Sequence, residues 1–107
     1  MPTPENLLGD LPATSEEEHF IALLERPGVR IERIVSTGQA TPPGEWLSQA
    51  HEEWVLLLKG AAALTLKGEP SLTLGPGDHV LIGAGRRHRV DWTDPHGATV
   101  WLAVHIG

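Results

Sequence analysis

Between Glu53 and His88 no run of apolar residues exceeds five before a polar residue or a glycine stops it. The longest, Trp54-Val55-Leu56-Leu57-Leu58, ends at Lys59-Gly60. Later runs end at Gly68-Glu69-Pro70, at Gly75-Pro76-Gly77-Asp78 and at Gly83-Ala84-Gly85. Segments this short are too small for free helices and of ordinary strand length. With 12 glycines and 9 prolines in 107 residues, the chain reads as many short strands joined by turns, the pattern of an all-β sandwich or barrel.

In chain order, Met1–Glu18 carries Pro2, Pro4, Gly9, Pro12 and the acidic run Glu16–Glu18, and is expected to be a loosely packed arm on which Leu7, Leu8 and Leu11 could dock a short turn. Residues 19–107 form a single domain, since this length leaves room for one core. His19–Leu24 and Val29–Ser36 make a hairpin about Pro27-Gly28, with Val29, Ile31 and Val35 on one face and Arg30 and Glu32 on the other. Strands follow over Trp54–Leu58, Ala61–Lys67, Ser71–Leu74, His79–Ile82, Arg87–Trp92 and Ala98–Ile106, eight or nine in all, with no amphipathic helix in the body.

Composition narrows the function. A formal charge of -6 argues against a nucleic-acid or anionic-membrane partner, both of which need a basic surface. With no cysteine, a metal could be held only by His, carboxylate or amide groups. No apolar run approaches a membrane span, and MPTPENLLGD lacks the basic and apolar regions of a signal peptide, so a cytoplasmic protein is expected.

The candidate chemistry lies at the two ends of the stretch His51–His88. If Leu47–Glu53 is extended, Leu47, Gln49, His51 and Glu53 point one way, which gathers an amide, an imidazole and a carboxylate on one face. In Arg87–Trp92, alternation puts His88 with Val90 and Trp92, whose apolar character marks that face as interior. Across a barrel these groups would offer N and O ligands of the kind that hold Fe, Mn, Ni, Zn or Cu. Trp92 is assigned to a pocket wall and Trp54 to the core, and His105 could reach the pocket from the opposite sheet. His79 reads as a strand end. Arg86, Arg87 and Arg89 read as solvated surface, with an anionic ligand as the alternative.

Glu53, six residues, then Gly60 resembles the end of the first cupin motif; Gly77, five residues, Gly83-Ala84-Gly85, two residues, then His88 resembles the second. The similarity covers Trp46–Trp92, and the short gap between Gly60 and Gly77 is like that of compact microbial cupins. It implies a jelly-roll barrel (double-stranded β-helix) with a small-molecule ligand inside, a divalent metal (Fe, Mn, Ni or Zn) and a homodimer. Glu53 and His88 match metal-ligand positions. The family's two further histidines correspond to Leu47 and Gln49, or to Trp46 and Ser48; its proline is Gly83 and its late asparagine is Trp92. Two site readings follow. Either His51 substitutes, giving His51, Glu53 and His88 with Gln49 as a weak fourth ligand, or His51 sits in water while Glu53 and His88 hydrogen-bond one another. The matching function classes are a metal-assisted dioxygenase, isomerase or lyase acting on a small organic acid or sugar, and a binding or sensing module that has kept the barrel without the metal.

Overall fold

In the computed structural model, which describes residues 2–12 and 15–107, the strands are β1 (His19–Arg26), β2 (Val29–Ser36), β3 (Glu52–Lys59), β4 (Ala62–Leu66), β5 (Leu72–Leu74), β6 (His79–Ile82), β7 (His88–Thr93) and β8 (Thr99–Ile106). They pair into two antiparallel sheets, β1-β2-β8-β3-β6 and β5-β4-β7. Val55, Leu57, Ile82, Trp101 and Ala103 from the first meet Ala62, Leu64 and Leu74 from the second in one buried cluster. The sheets thus close on each other as a jelly-roll barrel, and each fully buried leucine contributes about 1.5–3 kcal/mol by leaving water. The all-β reading of the turn-punctuated sequence holds, and among the described residues no helix is long and apolar enough to cross a membrane.

The glycine ending the long apolar run is dictated by space as well as by conformation. Gly60 has φ 92°, and a Cβ there would lie 2.5 Å from Thr99 Oγ1 and 2.8 Å from Thr99 Cα. Gly60→Ala should therefore cost about 2–5 kcal/mol, combining left-handed strain with overpacking, and chemical denaturation would measure the loss.

The pairing of β4 with β7 slips between Ala63 and Leu64, which face Trp92 and Val90, so Asp91 is the extra residue of a β-bulge. The slip reverses the alternation beyond it. Val90 points inward, whereas Trp92 is turned to the outside and is 42% exposed. Asp91 anchors the bulge by accepting hydrogen bonds from the hydroxyls of Thr65 and Ser71 and from Arg89 Nε. Burial pushes its carboxyl up, but the three hydrogen bonds and the Arg89 charge outweigh it and hold the group below its ordinary value. A depressed folded-state value stabilises above the unfolded value and is lost as pH falls through the folded one. Asp91→Asn should therefore lower the melting temperature at pH ~7, with the gap from wild type closing below pH ~4.

The arm is tied to the body. Arg33 Nη1 donates to the carbonyls of Leu7 (3.2 Å) and Gly9 (2.8 Å), and Ser15 N donates to Thr37 Oγ1 (3.1 Å).

Candidate functional site

Directly paired residues in an antiparallel ladder share a face, so the register arranges the inner side of the larger sheet into rows. The row nearest one end is Glu25-Arg30-His105-Glu53-Ile82. The next is Ala22-Glu32-Ala103-Val55-Val80, and the third is Phe20-Ile34-Trp101-Leu57. Polarity thus falls along the barrel, from a charged rim to an apolar floor. Leu64, Val90 and His88 face these rows from the smaller sheet, and Leu47 and Gln49 from the segment before β3, enclosing a cavity of about 540 Å³. That volume suits one small molecule.

Glu32, Glu53 and His105 are buried at the rim, whereas Glu25 and Arg30 are exposed. Glu32 is 9% exposed and His105 7%, and Glu32 Oε1 lies 2.8 Å from His105 Nε2. Their strand partners are offset by two positions, and Ala103 opposite Glu32 leaves room for this diagonal contact. A carboxylate only accepts, so His105 donates from Nε2, and in the neutral ring Nδ1 accepts from His51 Nε2 at 2.9 Å. The two rings meet edge to face with centroids 5.0 Å apart. Glu53 places Oε2 3.9 Å from His105 Nε2 and accepts a hydrogen bond from Gln49 through Oε1. At the floor, Trp101 Nε1 donates to Ser36 Oγ (3.2 Å), whose hydroxyl donates to Glu18.

Of the residues singled out by sequence, Gln49, Glu53, His88 and His105 line the cavity. His51 does not, because the chain bends at Ala50–His51 before β3 begins, which breaks the continuous strand expected over Leu47–Glu53. It lies instead in an outer groove with Gly28, Arg30, His105 and Gly107. Trp92 is carried away from the cavity by the bulge at Asp91. Glu53 and His88 are each bonded elsewhere, Glu53 to Gln49 and His88 Nδ1 to the Arg86 carbonyl at 2.9 Å. Glu32, Arg30, Glu18 and Glu25 also line the cavity. The available signal was the polar side of Val29–Ser36, whose Arg30 and Glu32 face inward while Ile31 and Val35 face outward.

The donors do not fit the divalent metal that the motif resemblance implies. His51 is committed to His105 and Gln49 to Glu53, which leaves Glu53 and His88 short of the three protein ligands of a facial site. Among the described residues no three His, Asp or Glu groups converge in a way that could hold a metal ion.

His105→Ala would leave the buried Glu32 with only the exposed Arg30, 3.7 Å away, and should cost about 2–4 kcal/mol in denaturant unfolding; His51→Ala, at a half-buried position, should cost less than about 1 kcal/mol.

A family model described as "Cupin domain" matches residues 34–105. Among solved structures, a Ralstonia eutropha JMP134 protein provisionally named a mannose-6-phosphate isomerase is 45% identical, with 98% of each chain covered and a TM-score of 0.95. A cupin superfamily protein from Desulfitobacterium hafniense DCB-2 is 19% identical, covering 99% of this chain and 92% of its own, with a TM-score of 0.80. The DMSP lyase DddQ from Ruegeria pomeroyi DSS-3 is 22% identical, covering 84% of this chain and 47% of its own, with a TM-score of 0.70. The last two share the fold. No curated protein matches the chain.

Proposed function

Because this chain belongs to the cupin family, we propose that it binds a small, neutral or cationic polar molecule inside its barrel, through its own side chains rather than through a resident metal. The observation that carries this reading is the row Glu25-Arg30-His105-Glu53 above an apolar floor. A ligand's donor groups would meet the rim carboxylates while its carbon skeleton lies against Ile34, Val55, Leu64 and Trp101.

Charge narrows the ligand class. Glu18, Glu25, Glu32 and Glu53 line the cavity against one arginine, Arg30. Such a lining opposes a phosphate dianion and favours hydroxyl or ammonium donors. The provisional name of the Ralstonia protein suggests a phosphorylated sugar. We read this cavity as suited to the sugar-like part of such a molecule and not to its phosphate.

A metal-dependent isomerase, dioxygenase or lyase is the second reading, supported by Glu53 and His88, which match the family's ligand positions and both line the cavity. It would require His51 to leave His105, or Gln49 to release Glu53. Metal analysis of protein purified without chelator separates the readings: the first expects no stoichiometric metal, and the second expects one that Glu53→Gln abolishes.

Thermal shift and calorimetry with mannose, mannosamine and mannose 6-phosphate test the ligand class. Binding at a hundredfold excess over Kd should stabilise the fold by about 2.7 kcal/mol. Mannosamine and mannose should raise the melting temperature more than mannose 6-phosphate does. The opposite order would contradict the charge argument.

A further inference from the structure

Arg33 lies on the outer side of the larger sheet, in the row Ile21-Arg33-Leu102-Leu56, where its cross-strand neighbours are apolar. It is only 8% exposed, and among the described residues no carboxylate forms an ion pair with it. A buried charge without a counter-charge is costly, and buried guanidinium groups are normally paired. The two hydrogen bonds that Arg33 donates among the described residues both use Nη1, to the carbonyls of Leu7 and Gly9. Nε is buried and has no acceptor. Holding the arm therefore occupies one end of the guanidinium and leaves the edge formed by Nε and Nη2, a pair of parallel donors suited to both oxygens of a carboxylate.

Arg33 also forms part of the wall of a groove of about 660 Å³ between the arm and β1. Pro4 and Leu7 of the arm and Ile21 and Leu23 of β1 give the groove an apolar lining. Leu23 is the extra residue of a bulge, where the β1–β2 register shifts between Ala22 and Leu24, and bulges re-aim side chains in this way. Ile21 and Leu23 are each 44% exposed. The acids of the groove, Glu5 and Asp10, are exposed and make no ion pair with Arg33.

We propose that this groove binds an alkyl monocarboxylate, with the carboxylate on the Nε–Nη2 edge of Arg33 and the hydrocarbon between Leu7, Ile21 and Leu23. A carboxylate suits the edge better than a phosphate, because two coplanar oxygens match two coplanar donors and a single charge is opposed less by Glu5 and Asp10 than a dianion is. Nε is covered, so the carboxylate reaches it only as the arm gives way locally. The site is separate from the barrel cavity, with which the groove shares only Ala22, and its charge logic is the reverse of the cavity's carboxylate-rich lining.

The NMR signal of the Arg33 Nε–H group in the full chain tests this proposal. Sodium hexanoate should shift it saturably, whereas hexanol, which has the tail without the charge, and inorganic phosphate should leave it in place. Acetate should bind more weakly than hexanoate, since each buried methylene tightens binding about fourfold. By calorimetry, Leu23→Asp, at an exposed position that should fold normally, sets a like charge in the wall and should weaken hexanoate binding about tenfold or more. Arg33→Lys keeps the charge but loses the paired donors and should do the same, with far-UV circular dichroism showing that each variant is folded. An Arg33 signal that hexanoate leaves unmoved, a shift that hexanol or phosphate reproduces, or hexanoate binding that survives both substitutions in folded protein would overturn the proposal.

Discussion

Burying a carboxylate requires a partner, and in this barrel Glu32 has His105. That pair fixes how the inner face of the larger sheet must be read. His105 sits opposite Glu53 on one side and Arg30 on the other, and its second nitrogen reaches His51 outside the cavity. The polar rim is therefore built on two hydrogen-bonded groups, Glu32–His105–His51 and Gln49–Glu53, which approach each other to 3.9 Å between His105 and Glu53. The same connections withdraw His51 and Gln49 from metal coordination. Structure and chemistry here have a common cause: side chains that stabilise the rim are not free to act as ligands.

Strand register sets where polarity can lie. Ile34, Trp101 and Leu57 form the floor because each is two positions away on its strand from the row above, later on β2 and β3 and earlier on the antiparallel β8. The same two-residue period sends Ile31, Val104 and Trp54 to the other side, which puts an apolar row on the outer face of the larger sheet. A half-barrel facing water would normally carry polar residues there, as the smaller sheet does. The cavity and the outer apolar face are thus two consequences of one alternation pattern.

Much of the fold was legible because its signals are local. Gly60, Gly75-Pro76-Gly77 and Gly83-Ala84-Gly85 bound strands that lie close to where the turns place them. The site was less legible because it depends on departures from regular alternation. One bulge at Asp91 moved Trp92 outside, and one bend at Ala50–His51 took His51 out of line with Glu53. Neither leaves a distinctive residue pattern. Glu32 escaped notice for a different reason: on Val29–Ser36 the apolar side is the outer one, and an amphipathic strand does not state which side faces in. His105 was the exception, since Trp101 and Ala103 on the same side of its strand pointed to the interior.

The claim that the rim donors are committed to one another can be observed directly through the imidazole nitrogens. Long-range proton–nitrogen NMR spectra of the histidines, recorded with and without equimolar Ni²⁺, report both tautomer and metal contact. This account predicts that His105 carries its proton on Nε2 with Nδ1 accepting from His51, and that the His51, His88 and His105 signals stay sharp when Ni²⁺ is added. Selective broadening of His88 together with His51, with loss of the His51–His105 hydrogen bond, would contradict it and place a metal at the centre of the site.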